Sequence, residues 1–181
     1  PTAGSQATSP SETATPASSP PLPSPDAAGS PTPLSATEWN AKFTLTVTVP
    51  QGVVTTTTAI TPLAELGYIG PEASVTIYHG SPAIYWRIQE IGGQRAMGYA
   101  IDTICDNSTL ARGATLTVPF GKGGEISDDP AAFFDRAWFE DPTLRLPAGR
   151  WAISATLDAD LGGCGGEHHE LTATVEIEVT P

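Results

Sequence analysis

From residue 43 the chain alternates between apolar and polar positions, with Phe43, Leu45, Val47 and Val49 separated by Thr44, Thr46 and Thr48. A period of two places one set of side chains on each face of an extended strand, so this segment predicts a half-buried strand. The pattern returns near the other end, where Leu171, Ala173, Val175, Ile177 and Val179 alternate with Thr172, Thr174, Glu176, Glu178 and Thr180. Between them, residues 74–78, 84–91, 95–101, 114–120 and 151–157 read as further strands, and the Thr-rich stretch 53–60 as an edge strand. Turn chemistry punctuates these runs at Gly80-Ser81-Pro82, Gly92-Gly93, 121–124 and Pro147-Ala148-Gly149. Only 62–66 and 130–139 read as short helices, the second opening with Asp129 as cap and Pro130 in the first turn. Seven or eight short strands at this spacing predict an all-β antiparallel sandwich over residues 37–181. A closed barrel is the alternative, but the acidic outward positions leave no lipid-facing band.

Residues 1–36 follow a different rule. They hold nine of the 18 prolines, no Lys, Arg or aromatic residue, and only Glu12 and Asp26 as charges. Leu22 and Leu34 are the only large apolar side chains, too few to offset backbone ordering, so a disordered stalk or linker is predicted. The segment resembles the region that follows the lipidated cysteine of bacterial envelope lipoproteins, which implies a lipid anchor upstream of Pro1. An interdomain linker and an O-glycosylated stalk are the alternatives. The chain opens at Pro1 with no charged n-region or apolar h-region, and so reads as a processed product.

Twenty acidic against eight basic residues give a net charge of −12, which argues against nucleic acid as a partner. No apolar run is long enough for a transmembrane helix. The two cysteines, Cys105 and Cys164, form an even pair behind a Pro/Ser/Thr stalk. That combination predicts a disulfide and an extracellular or cell-envelope location, with two buried thiols as the alternative.

Three segments taken in order carry a family resemblance: Val75-Thr-Ile-Tyr-His-Gly80 running into Tyr85-Trp-Arg-Ile, Leu110-Ala-Arg-Gly-Ala-Thr-Leu-Thr-Val118, and Leu146-Pro-Ala-Gly-Arg-Trp-Ala-Ile153. Together they resemble the immunoglobulin-like domains of the BsuPI-type intracellular proteinase inhibitor family and related bacterial envelope lipoproteins. Pro147, Gly149 and Trp151 match the family's Pro-x-Gly-x-aromatic turn, and Leu110 and Gly113 its Leu-x-x-Gly turn. The resemblance implies an immunoglobulin-like sandwich and, as one functional alternative, proteinase inhibition. The stalk and the cysteine pair depart from a cytosolic inhibitor.

Candidate chemistry is sparse. The sequence holds no Gly-x-Ser-x-Gly elbow, no His-Glu-x-x-His pair and no cofactor motif, so no enzyme and no cofactor are expected. In Gly162-Gly-Cys-Gly-Gly-Glu-His-His-Glu170 a metal-binding alternative arises from Glu167, His168, His169 and Glu170, with Cys164 as a further ligand. Adjacent histidines on a strand face opposite ways, and a disulfide would consume Cys164. Asn107-Ser108-Thr109 matches the N-glycosylation pattern. Phe133, Phe134, Arg136, Trp138 and Phe139 are the residue types that binding hot spots use, and form the candidate contact set for a protein or glycan partner at the cell surface. The alternative is a lid that plugs one end of the sandwich. The sequence reading is therefore an exported, non-enzymatic binding or assembly module.

Overall fold

A computed structural model describes residues 32–99, 102–124, 126 and 133–181. Among these are ten strands: β1 (Leu34–Trp39), β2 (Phe43–Val49), β3 (Val53–Thr55), β4 (Leu63–Tyr68), β5 (Ser74–Glu90), β6 (Ala96–Met97), β7 (Asp102–Ala111), β8 (Thr115–Pro119), β9 (Gly149–Leu161) and β10 (Glu167–Thr180). One short helix, α1 (Arg136–Glu140), precedes β9. The strands form two sheets, one ordered β1-β2-β4-β8 and the other β3-β10-β9-β5-β6, with β7 also paired to β5. After β2 the chain crosses to the second sheet, where β3 runs parallel to β10, and then returns as β4 antiparallel to β2. This crossing and the alternation of later strands between sheets make the fold an immunoglobulin-like β-sandwich.

The period of two explains why the sheets close on each other. Phe43, Leu45, Val47 and Val49 of β2 are buried, as are Leu171, Ala173, Val175, Ile177 and Val179 of β10. Their polar neighbours face water, where many hydroxyls bond across strands: Ser35 with Thr48 at 2.9 Å, Thr37 with Thr46 at 2.8 Å and Ser154 with Thr174 at 2.8 Å. Threonine suits such positions because its branched Cβ fits the pleated surface while its hydroxyl stays satisfied.

Several expectations need correction. The expected seven or eight strands become ten. The runs 74–78 and 84–91 belong to one strand, β5, and the predicted turn at Gly80-Ser81-Pro82 is a bulge within it. There the register against β9 jumps from His79↔Ala159 to Ile84↔Leu157, so β5 carries unmatched residues that its neighbour lacks. Residues 62–66 are not helical: Ala64, Leu66 and Tyr68 alternate inward in β4, which lies between β2 and β8. β1 begins at Leu34, inside the segment assigned to the stalk, because it is held by main-chain pairing and hydroxyl bonds to β2 rather than by buried apolar side chains. The second helix is shortened to α1 and capped by Asp135, whose carboxylate accepts from the Trp138 amide at 2.9 Å. The expected cap at Asp129 and Pro130 lies outside the described residues, as does the body of the stalk.

The turn that carried the family resemblance forms a closed corner. Trp151 is fully buried at the start of β9, and its Nε1 donates to the Pro147 carbonyl at 2.9 Å. The chain reaches this geometry through Gly149 at φ 146°, a conformation that side-chain-bearing residues rarely adopt. The Arg95 guanidinium lies 5.0 Å from the indole centroid and is itself gripped by Glu90, with Nε to Oε2 at 2.8 Å. An aromatic residue that opens the penultimate strand and bonds back to upstream backbone is a recurrent device of immunoglobulin-like folds, usually built with Tyr. Replacing Trp151 by Ala should cost about 3–5 kcal/mol in urea unfolding, as expected for emptying a large aromatic site. Trp151→Phe should cost less but still measurably, because it leaves the Pro147 carbonyl without its donor.

Candidate functional site

The aromatic candidates gather at one end of the sandwich, around α1. Phe134 is buried and Phe133 packs partly buried against the core, their rings 6.1 Å and 6.4 Å from Trp151. Trp138 meets Phe134 edge-on at 4.6 Å and Phe139 at 5.0 Å, and both Trp138 and Phe139 remain half-buried. Arg136 is exposed on the outer side of the helix. The structure therefore brings all five predicted contact residues together, while committing Phe133 and Phe134 to closing the core beneath them.

Lys122 ties this cap to the neighbouring segment. Its ammonium sits 3.9 Å from the Trp138 ring centroid and donates to the carbonyls of Trp138 and Asp141, the latter at 2.6 Å. Those carbonyls end α1, where a cation complements the unpaired acceptors. Burial pushes the Lys122 pKa down, and the Asp141 charge opposes that shift. Asp141 is held below the ordinary carboxylate range, first by the Thr143 amide at 2.8 Å, with Arg145 adding an ion pair at 2.9 Å. The Trp138 indole donates to the Arg145 carbonyl at 3.2 Å, which fixes the ring over the lysine.

On the other side of Lys122 lies an apolar groove of about 260 Å³, lined in part by Tyr85, Trp86, Tyr99, Val118 and Pro119. Tyr99 is 49% exposed and stacks on Tyr85 with ring centroids 3.9 Å apart. Burial, followed by the hydrogen bond with Tyr99, raises the Tyr85 pKa. Trp86 is oriented by its indole bond to the Pro119 carbonyl at 3.2 Å and by edge contact with Phe120 at 5.5 Å. Sequence reasoning missed this groove. Tyr85 and Trp86 are adjacent on a strand and Tyr99 is distant, so only the β5–β6 fold-back and β8 bring them together.

The cysteine pair forms the disulfide Cys105–Cys164, with Cα atoms 6.0 Å apart across a sequence separation of 59. It straps β7 to the tip of the β9–β10 hairpin, and both residues are exposed. Beneath it is a cavity of about 310 Å³ whose walls include Tyr78, His79, Asp158 and Asp160. His79 is buried, with Nδ1 against the Gly80 carbonyl at 2.5 Å and Nε2 against the Ser108 hydroxyl at 2.9 Å. Because a carbonyl only accepts, Nδ1 carries the proton. Asn107, in the glycosylation pattern, is exposed on β7.

The metal alternative does not assemble. His168 faces solvent, with Nδ1 3.2 Å from Asp160 and 3.8 Å from Asp158, whereas His169 turns inward and meets the Phe43 ring at 5.4 Å. His169 Nε2 lies 3.3 Å from Glu167 without hydrogen-bond geometry, Glu170 is exposed, and Cys164 is consumed by the disulfide. The strand's period of two separates the histidines, and among the described residues no three His, Cys, Asp or Glu side chains gather around a common point.

No family model and no curated protein matches the chain.

Two outcomes test this region. A Cys105→Ser/Cys164→Ser double variant should fold, since neither residue belongs to the core, but lose about 4 kcal/mol in denaturant unfolding by loop-closure entropy. Its loss of amide protection should concentrate in β7 and the β9–β10 hairpin. Asp160 is held below the ordinary carboxylate range by the Gly165 amide at 2.6 Å and then by His168. A depressed folded-state pKa stabilises above the unfolded-state value, and that contribution disappears as pH falls through the folded value. Protection of the Gly165 amide, taken against the intrinsic exchange rate at each pH, should therefore fall below the ordinary carboxylate range, and Asp160→Asn should remove that acid dependence.

Proposed function

We propose that the chain is an exported, non-enzymatic binding module of the cell envelope or extracellular space that recognises a protein or glycan partner through its aromatic end. The observation that carries this reading is the juxtaposition, across Lys122, of an apolar groove bearing the half-exposed Tyr99 with the Trp138–Phe139 cap. Stacked and edge-packed aromatics offer large contact area at low entropic cost, and the indole N–H groups of Trp86 and Trp138 are already oriented by backbone carbonyls. The Cys105–Cys164 disulfide supports an oxidising compartment. Kinship with the BsuPI-type domains belongs to the same proposal and is supported by the closed corner from Pro147 to Trp151.

The test compares full-length wild type with Tyr99→Ala and Trp138→Ala on glycan arrays and against crosslinked envelope extracts, with thermal melts as the folding control. Each substitution should weaken the partner recognised by wild type by about thirtyfold, the loss typical of a central aromatic contact. Unchanged recognition by both variants would remove the aromatic end as the site. Alkylation before lysis should find Cys105 and Cys164 oxidised in the producing cell; two free thiols would contradict export.

A further inference from the structure

The outward face of the β9–β10 pair is a ladder of matched rungs with one exception. Ser154 bonds Thr174 at 2.8 Å, Thr156 bonds Thr172 at 2.8 Å, and Asp160 Oδ1 lies 3.2 Å from His168 Nδ1. Between the second and third of these rungs, Asp158 stands directly opposite Glu170. Like charges in that position repel and destabilise a sheet. His168 leans toward Asp160 and comes only within 3.8 Å of Asp158. Glu170 is exposed, and Arg87 on β5 lies opposite Ser154, four positions along β9 from Asp158.

This mismatched rung adjoins the aromatic groove. Tyr85 lies opposite Thr156, one rung away. Burial and then the Tyr99 contact raise the Tyr85 pKa, and the charges of Asp158 and Glu170 raise it further, so both carboxylates act on that ring. Pro82 borders both the groove and the cavity of about 310 Å³ walled in part by Asp158 and Asp160. That cavity has no Lys or Arg among its described walls, and His79 has both ring nitrogens engaged. In the groove, Lys122 already donates to the carbonyls of Trp138 and Asp141. An exposed tyrosine face and two carboxylates lacking a Lys or Arg partner thus lie along one wall, complementary to a cation that also stacks.

We infer that the Tyr85–Tyr99 stack and the Asp158–Glu170 rung form one site for an arginine side chain of a partner protein. A guanidinium is planar, weakly hydrated and stacks on aromatic faces, and its forked donors serve two carboxylates at once. Opposed strand positions place their Cβ atoms about 4.5–5.5 Å apart, a spacing that one guanidinium can bridge. Its arrival turns a repulsive rung into an attractive one. The site rests on the reading of the groove as a recognition surface and narrows its partner to a basic protein segment, since a neutral glycan would use the rings but not the carboxylates.

The test is an amide NMR titration of the full chain with the peptide acetyl-Leu-Arg-Leu-amide. Saturable shifts should appear at Tyr99, Asp158 and Glu170 with half-saturation at or below about 1 mM, weakening as salt rises. Replacing the arginine by neutral citrulline should weaken binding about tenfold, and lysine should bind less tightly than arginine. Asp158→Asn and Glu170→Gln should each weaken the arginine peptide about threefold. Each should also melt at or above the wild-type temperature, because the rung's repulsion is relieved. Tyr99→Ala should weaken the peptide, whereas Trp138→Ala should not. Absence of saturable shifts, equal affinity for the citrulline peptide, or wild-type affinity in both carboxylate variants would each overturn the inference. A partner or glycan lost in Tyr99→Ala but retained in both carboxylate variants would overturn it while leaving the groove as a recognition surface.

Discussion

Burial of the Trp151 indole constrains the second sheet more than any other single contact. An indole placed in a core without a partner for its N–H loses most of what its area gains, and the Pro147 carbonyl removes that penalty. The carbonyl comes within reach only because the chain turns through Gly149 at φ 146°. The corner thereby fixes where β9 starts, and β9 stands between β10 and β5 with long antiparallel registers on both sides. The same ring receives Arg95 on one face and the Phe133–Phe134 pair nearby. Strand entry, sheet register and the aromatic cap therefore share one residue.

Sharing has a functional consequence. The cap is not a loose hydrophobic loop, because Phe134 is anchored in the core, Asp135 caps α1, and Lys122 closes the helix's carbonyl end. Trp138 is held by ring contacts, by its indole bond to Arg145 and by the lysine at its face. An aromatic surface fixed this firmly before binding loses little further entropy when a ligand arrives. The reading of these residues as a core lid and the reading of them as a contact surface are compatible: the inner aromatics plug the sandwich and hold the outer ones still.

How much of this could be read from the sequence depends on whether a residue's role was local. β2 and β10 were legible because strict alternation states both strand and face. The Pro147–Trp151 turn was legible as a motif, although its indole bond was not. β7 was illegible, since most of it is exposed and Asp102, Asp106 and Asn107 interrupt any apolar pattern. β1 was hidden by composition: a strand held by backbone pairing and paired hydroxyls leaves little hydrophobic signal. The 62–66 segment reads as a short helix when taken alone, while burial of Ala64, Leu66 and Tyr68 on alternate positions decides for a strand. The groove at Tyr85, Trp86 and Tyr99 depends on long-range pairing that no local pattern encodes, whereas the separation of His168 from His169 followed directly from strand geometry.

The outer faces of the two sheets differ from the aromatic end in what they leave unpaired. Hydroxyl pairs such as Ser35–Thr48, Thr37–Thr46, Ser154–Thr174 and Thr156–Thr172 satisfy one another across neighbouring strands. A face whose polar groups are already paired offers a partner few unsatisfied donors and little apolar area, so docking there gains little. The aromatic end is the exception, because its rings are ordered before any contact and the groove beside it, lined by Pro119 of β8, leaves Tyr99 half exposed.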